Sequence, residues 1–235
     1  MVEISNTLIK AEVVATYNGV ILDAKFADDS LKPVFCSAYD VVQMCAPGTV
    51  IYVRCNAAKN RKVVHELELV EQNGSMIYGR PNRNNDLFEE AFNAGTLTEF
   101  AQYSRCRRLD PDDHLPHVDY ELSADNGSKC FVFVTNVYHK HGGSAVFPME
   151  VNFFEMEMFE EMRRLREQGN KTCVVMIVPR TDCHDIHFSW KYSPLAAAKI
   201  FDAAKNGLNF IGYGIRDSNI TKKIVTLSNL LPIVY

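Results

Sequence analysis

Residues 117–137 decide the fold class of this 235-residue chain: they read HVDYEL at 117–122, DNG at 125–127 and CFVFVTNV at 130–137. The two outer stretches are rich in valine, phenylalanine and tyrosine. An Asp-Asn-Gly sequence between two such stretches is typical of a tight turn. The pattern therefore predicts two neighbouring strands joined by a short turn.

Downstream of these strands, helix and strand patterns alternate. Apolar residues at spacings of three and four predict a helix over 150–168. A proline at its start and a glycine past its end delimit a second helix over 194–206. Strands are predicted at 172–178, 186–190, 209–214 and 223–227. This alternation indicates an α/β domain in which helices cover a mixed sheet.

The first 80 residues have a different pattern, with short segments rich in valine, isoleucine and tyrosine and no convincing helix. Strands are predicted at 11–17, 20–26, 33–36, 49–55, 63–70 and 75–78. Turn residues separate them, which suggests a small antiparallel barrel or sandwich. The polar segment GRPNRNN at 79–85 marks a boundary, and a helix is predicted from Asp86 to Ala94 beyond it. We therefore predict two domains, 1–84 and 85–235.

The charge balance excludes a strongly basic protein, because 25 lysines and arginines stand against 29 aspartates and glutamates, for a net charge of −4. It argues against a histone-like nucleic-acid binder but leaves room for a local basic groove. The longest apolar runs are too short to span a bilayer, and the N-terminus lacks a signal-peptide pattern. The seven cysteines form no CxxC pair, as is typical of reduced thiols. We expect a soluble intracellular protein, cytoplasmic or nuclear, without a membrane partner.

The common motifs of nucleotide-dependent, hydride-transfer and zinc-protease chemistry do not occur in the sequence, so no cofactor is predicted. Three histidine pairs lack an evident third ligand and are interpreted as loop residues rather than metal ligands. These pairs are His114 with His117, His139 with His141, and His184 with His187. Glutamates at 155, 157, 160 and 161, with Arg164 one turn after Glu160, predict an exposed, salt-bridged helix face. No metal site is predicted.

In their order along the chain, several short stretches resemble the sugar fermentation stimulation protein A (SfsA) family. The matching stretches are Cys36, Cys45, Pro47-Gly48, Arg61-Lys62, His65, Glu68-Leu69, Asn85, Leu87, 117–120, Phe147-Pro148, Tyr192-Ser193-Pro194, Ala203, Gly207 and Tyr213. The resemblance implies an α+β two-domain fold. It predicts an N-terminal OB-like β-barrel at 1–84, followed at 85–235 by a PD-(D/E)xK nuclease-like (restriction-endonuclease-like) α/β domain with a mixed sheet.

The nuclease motif of that family is degenerate in this sequence. The resemblance places Asp119 at the aspartate of the motif, but Phe133 at the glutamate and Thr135 at the lysine of its E-x-K pair. A divalent cation needs converging oxygen ligands, and neither replacement supplies the lost carboxylate or the lost positive charge. We therefore predict a pseudo-nuclease rather than an enzyme, with Asp119 vestigial and no metal bound.

The resemblance also implies a nucleic-acid partner, DNA rather than RNA, because the SfsA family is associated with non-specific DNA binding. The candidate phosphate contacts are the cations on or near the predicted barrel rim: Lys59, Arg61, Lys62, Arg80 and Arg83. Binding through these residues should weaken steeply with salt, because the release of counterions drives it.

Two alternatives to nucleic-acid binding remain open. The first alternative is an assembly subunit that binds another protein through an exposed patch of apolar side chains near the degenerate motif. If these side chains instead fill the vacated pocket as core, no such patch exists. These side chains are Phe131, Phe133, Met149, Phe153 and Phe154. A residual metal-dependent nuclease would instead need Glu150 or Glu155 beside Asp119. Trp190, the only tryptophan, is expected in the core.

Overall fold

The computed structural model describes residues 2–3, 8–17, 19–56, 62–110, 113–148, 153–217 and 224–234. The strands are β1 (Val2–Glu3), β2 (Ile9–Tyr17), β3 (Ile21–Phe26), β4 (Leu31–Phe35), β5 (Val50–Cys55), β6 (His65–Gln72), β7 (Ser75–Tyr78), β8 (Arg105–Arg108), β9 (Tyr120–Ser123), β10 (Lys129–Asn136), β11 (Lys140–His141), β12 (Ser144–Phe147), β13 (Lys171–Val178), β14 (Asp185–Phe188), β15 (Asn209–Asp217), β16 (Ile224–Leu231) and β17 (Ile233–Val234). The helices are α1 (Tyr39–Gln43), α2 (Pro81–Asn93), α3 (Phe153–Glu167) and α4 (Pro194–Lys205), with a 3₁₀ turn at Thr98–Phe100.

The chain forms two compact units. The first contains Met1–Asp86 together with Pro179–Asp182 and Ile215–Thr226. The second contains Leu87–Val178, Cys183–Gly214 and Leu227–Tyr235. The first division lies two residues beyond the predicted boundary at 84/85. The second unit is not the continuous segment 85–235, because two later segments group with the first unit.

A closed barrel of five strands, β2 to β6, forms the first unit. β2 pairs antiparallel with β3 and β5, β3 with β4, and β5 with β6. A parallel pairing of β4 with β6, in which Val34 lies opposite His65, closes the barrel. This strand order, with a helix between β4 and β5, is that of the OB fold. The predicted OB-like barrel is confirmed, and α1 is a helix that the sequence pattern missed.

Alternation along the barrel strands determines which side chains form its interior. Leu22, Ala24 and Phe26 of β3 are buried, whereas the residues between them are at least partly exposed. β-bulges interrupt the register between Val13 and Ala15 and between Tyr52 and Val53. Such bulges bend a strand and increase its twist, which allows a sheet this small to close on itself.

The second unit is an α/β structure around a mixed sheet. Its larger sheet has the neighbouring strands β15, β13, β10, β9 and β8, of which β10 and β15 run parallel to β13, while β9 and β8 add antiparallel. A smaller sheet has the order β11, β12, β14 and β17. The central strand β13 is buried from Thr172 to Val178, as expected for a parallel strand covered on both faces. The predicted nuclease-like α/β domain and the overall α+β two-domain class are confirmed.

Two helical predictions differ from the structure. The helix predicted from Asp86 to Ala94 is α2, which begins at Pro81, inside the polar segment 79–85, and ends at Asn93. Proline suits the first turn of a helix, since its missing N–H would have no partner there. The sequence also predicts a short helical segment over 97–103, and the structure has there only the 3₁₀ turn at Thr98–Phe100.

Candidate functional site

Asp119 lies beside Phe133 at the edge between β9 and β10. The register pairs Tyr120 with Val132, so that the preceding Asp119 stands opposite Phe133. The backbone N–H of Asp119 donates to the carbonyl oxygen of Val132 at 2.9 Å. The N–H of Val134 donates to Oδ2 of Asp119 at 2.7 Å. The structure therefore brings together the two positions that the family resemblance aligned with the metal-binding motif.

The Asp119 carboxyl is half-buried, and its environment raises its pKa. Burial raises the pKa of this carboxyl above its ordinary value of 3.8. The hydrogen bond from Val134 and the positive charge of Arg108 lower the pKa and offset only part of the burial effect. The hydrogen bond from Val134 leaves Oδ2 of this carboxyl with one backbone donor already in place.

The aromatic residues of β10 face the core of the second unit. Phe131 is only 5% exposed and packs in a cluster that includes Phe147 and Met158. It is therefore part of the core and not of the exposed patch that the assembly-subunit alternative requires. Phe133 is half-buried and packs against the same cluster. Thr135 is half-buried as well. Met149 and the side chains of Phe153 and Phe154 lie outside the described residues.

A histidine and two glutamates that are distant in sequence meet at one face of α3. Nε2 of His117 lies 3.3 Å from Oε2 of Glu157, and the backbone N–H of His117 donates to Oε2 of Glu161 at 3.1 Å. An open cavity of about 500 Å³ adjoins them, lined also by His114, Glu160 and Arg164. Among the residues that the structure describes, no three or more His, Cys, Asp or Glu side chains converge as metal ligands.

The helix face predicted to be exposed is only partly so. Glu157 and Glu160 are exposed, but Glu161 is buried, because its carboxylate accepts the N–H of His117 from a neighbouring loop. The cation that pairs with Glu160 in this structure is Arg163, at 2.9 Å, which also pairs with Glu167. Glu160 therefore pairs with the residue three positions later, Arg163, and not with Arg164, four positions later, as predicted.

The five candidate phosphate contacts belong to the first unit and have different environments. Lys59 and Arg61 lie outside the described residues, in the connection between β5 and β6. Lys62, at the end of that connection, is exposed. Nη1 of Arg80 lies 3.5 Å from Oε2 of Glu68, so this guanidinium neutralises a buried carboxylate. Arg83 is in α2, and its side chain lies outside the described residues.

Buried acids of the barrel form an ion network that the sequence analysis missed. Glu66 and Glu68 are buried on β6, and Arg54 of β5 forms an ion pair with Glu66 and lies 3.6 Å from Glu68. Nδ2 of Asn56 donates to Oε1 of Glu66 at 3.0 Å. The acidic alternation HELEL at 65–69 is the signal that could have revealed it, since two acids on a largely buried strand require partners.

Trp190 is not in the core, contrary to prediction, but 45% exposed. Trp190 belongs to the sharp turn between β14 and α4. In a turn, the order of buried and exposed residues has neither the period of a strand nor that of a helix, so the sequence pattern does not predict burial there. Within the described ranges, no helix is long and apolar enough to cross a membrane.

Comparison with known proteins gives concordant matches in sequence and structure. The family model "Sugar fermentation stimulation protein RE domain" matches residues 82–219, which is more than half of the chain. A sugar fermentation stimulation protein homolog from Maricaulis maris is 28% identical over 208 residues, covering 88% of each chain. The homolog from Citrifermentans bemidjiense is 25% identical over 228 residues and 97% of each chain. The solved structure of Pyrococcus furiosus SfsA in complex with Ca²⁺ superimposes over the full length of both chains with a TM-score of 0.84, at 15% identity. The chain therefore belongs to the sugar fermentation stimulation protein (SfsA) family.

Proposed function

We propose that this SfsA-family protein binds nucleic acid, DNA in preference to RNA, and lacks the metal-dependent nuclease chemistry of its fold class. The observation that carries the second half of the proposal is the pairing of Asp119 with Phe133. Its Oδ2 accepts the Val134 N–H, and the side chain opposite is aromatic rather than acidic.

The side chains at the three aligned motif positions, 119, 133 and 135, do not supply the ligands that a divalent cation requires. Mg²⁺ and Ca²⁺ are bound by several oxygen atoms that converge on one point, usually with more than one carboxylate among them. Of the aligned motif positions, Asp119 alone carries a carboxylate, while Phe133 offers no donor atom and Thr135 offers a neutral hydroxyl. A relative from Pyrococcus furiosus was solved in complex with Ca²⁺, so this cation belongs in the test.

The barrel supports the nucleic-acid half of the proposal. In OB folds, oligonucleotides bind across one sheet face and to two loops, one of which connects the fourth and fifth barrel strands. Here that connection is residues 56–64, between β5 and β6, and it contains Lys59, Arg61 and Lys62. A cluster of three cations at this loop suits the phosphates of a bound strand. Arg80 is a weaker candidate, because it already neutralises Glu68.

The test measures binding and cleavage separately. The purified protein is titrated into labelled single-stranded and double-stranded DNA and RNA at low salt, with and without Mn²⁺ or Ca²⁺. Fluorescence anisotropy reports binding and a denaturing gel reports cleavage. We expect salt-dependent binding, tighter for DNA, and intact oligonucleotide under all metal conditions.

Matched charge-removal variants locate the interface. Joint replacement of Lys59, Arg61 and Lys62 by alanine should weaken DNA binding and reduce the salt slope by about 0.9 for each phosphate that the variant no longer neutralises. The control is a joint replacement of three exposed cations of the second unit by alanine: Arg105, Lys129 and Lys171. Equal reductions in both variants would contradict the barrel interface. Absence of binding to all four ligands would favour the protein-assembly alternative, and metal-dependent cleavage that disappears in Asp119→Ala would establish the nuclease alternative.

A further inference from the structure

The turn between β14 and α4 presents two aromatic side chains and a lysine to solvent. Its sequence is SWKYS at 189–193, in which both serines are buried while Trp190, Lys191 and Tyr192 are exposed. The backbone N–H of Ser193 donates to the carbonyl of Ser189 at 3.0 Å, and the N–H of Tyr192 donates to Oγ of Ser189 at 3.1 Å. These two hydrogen bonds fix the backbone of the turn, and the exposed side chains of Trp190, Lys191 and Tyr192 project from it.

The turn is also fixed to the smaller sheet. The N–H of Ser189 donates to the carbonyl of Phe147 at 2.9 Å, at the end of β12. β12 runs parallel to β14, with Phe147 opposite Phe188. The turn therefore lies beside the Phe147-Pro148 segment, which is one of the stretches in which the sequence resembles the SfsA family.

Helix α4 extends the same exposed surface. The rings of Trp190 and Phe201 meet edge to face with their centroids 6.2 Å apart, and Phe201 is 38% exposed. Nζ of Lys205 lies 4.4 Å from the centre of the Phe201 ring, and Nζ of Lys191 lies 5.5 Å from the centre of the Tyr192 ring. We refer to Trp190, Lys191, Tyr192, Phe201 and Lys205 as the tryptophan platform.

The local charge of this region is opposite to that of the whole chain. Between residues 189 and 205 there are three lysines and one aspartate, a net charge of +2, whereas the whole chain has a net charge of −4. Neighbouring exposed aromatic rings are typical of interaction surfaces, and the positive charge around them favours an anionic partner.

We propose that the tryptophan platform binds single-stranded nucleic acid, with bases stacked on Trp190 and Tyr192 and phosphates beside Lys191 and Lys205. Exposed aromatic rings interleaved with cations are the means by which proteins bind single strands without reading their sequence. A duplex cannot use this platform in the same way, because its base faces are covered by stacking within the helix. The inference rests on the proposed nucleic-acid function and names its substrate class.

The experiment uses the fact that Trp190 is the only tryptophan of the chain, so intrinsic fluorescence reports directly on the platform. The full-length protein is titrated with an oligothymidylate and with a duplex of the same length, and anisotropy of the labelled oligonucleotides is measured in parallel. We expect the oligothymidylate to change the tryptophan fluorescence with the same midpoint as the anisotropy, and the duplex to leave it unchanged.

Variants separate stacking from general contact. Trp190→Ala should weaken oligothymidylate binding about tenfold and duplex binding less than about twofold, whereas Trp190→Phe should lose less because it keeps a ring. Leu195→Ala is the matched control, since Leu195 is 60% exposed on the neighbouring helix α4 but has no ring. Circular dichroism and thermal melting check that each variant is folded, and joint replacement of Lys191 and Lys205 by alanine tests the platform without removing an aromatic side chain.

Failure of this inference differs from failure of the proposed function. Oligothymidylate binding that leaves the fluorescence of Trp190 unchanged and is unaffected by Trp190→Ala would overturn the platform and leave the proposed function standing. Lack of binding to any nucleic acid would overturn both. A fluorescence change produced equally by polyglutamate would assign the platform to acidic polypeptides and overturn the nucleic-acid assignment.

Discussion

The role of Asp119 can be tested by two substitutions that differ in one hydrogen bond. Its Oδ2 accepts the N–H of Val134, a residue that is only 4% exposed. Asp119→Ala leaves this buried N–H without an acceptor, which costs about 1–3 kcal/mol of the free energy of unfolding. Asp119→Asn keeps an oxygen that can accept the same N–H, so we expect its stability at neutral pH to lie within about 1 kcal/mol of the wild type.

The pH dependence of Asp119→Asn has a definite sign. Burial raises the pKa of the Asp119 carboxyl above 3.8, so the folded protein binds this proton more tightly than the unfolded chain does. The contribution of Asp119 to stability is therefore fully present below pH 3.8 and is lost as the pH rises through the folded-state pKa. Asparagine does not titrate, so the stability of Asp119→Asn relative to wild type should increase as the pH rises from 3.8 through the folded-state pKa of Asp119.

Urea denaturation of wild type, Asp119→Asn and Asp119→Ala, at acidic and at neutral pH, measures these differences. The same series is repeated with Mn²⁺ or Ca²⁺. If Asp119 is a structural acceptor, neither cation changes the ranking of the three proteins. A metal-dependent stabilisation of the wild type that vanishes in Asp119→Asn would refute the reasoning, because it would identify Asp119 as a metal ligand.

Two further predictions concern the polar interactions of the two units. Arg54→Ala removes a cation from the buried Glu66 and should cost about 3 kcal/mol of the free energy of unfolding. Arg163→Ala, on an exposed helix face, should be clearly less destabilising, and similar destabilisation by both variants would contradict the burial argument. Tyr213→Phe removes the hydroxyl that donates to Oε2 of Glu99 at 2.7 Å and should cost about 1.5–3 kcal/mol at neutral pH. Burial raises the pKa of the Glu99 carboxyl, but its hydrogen bonds outweigh burial and hold this pKa below its ordinary value of 4.5. The destabilisation caused by Tyr213→Phe should therefore shrink as the pH falls below 4.5. An unchanged effect in acid would exclude the charged hydrogen bond.

Local pattern was sufficient wherever burial follows a simple period. The run TCVVMIV at 172–178 predicts a buried strand, and it is the central parallel strand of the second unit. The strand predicted over 20–26 is likewise present, as β3 (Ile21–Phe26) of the barrel wall. In such segments the apolar residues themselves indicate which side must leave water, and no knowledge of the partner is needed.

Pattern failed at positions whose environment depends on distant residues. Trp190 is apolar enough to suggest a core position, but Ser189 and Ser193 are the residues of that turn that face inward. Glu161 resembles an exposed helix residue in sequence, yet the N–H of His117, 44 residues away, satisfies its carboxylate in the interior. Hydrophobicity alone does not predict such exchanges, since the free energy of burying a polar group depends on which partner reaches it.

Local sequence patterns were enough to predict a strand-rich first part and an α/β second part of this chain. Three features could be seen only once the chain was folded: the pairing of β4 with β6 that closes the barrel, the hydrogen bond from the Val134 N–H to Asp119, and the contact of Trp190 with Phe201 on an exposed surface. The difference arises because local patterns depend on neighbouring residues, whereas tertiary contacts join residues far apart in the sequence. Periodicity reports which side of an element avoids water, whereas pairing between elements is set by the summed contacts of residues that the sequence keeps far apart.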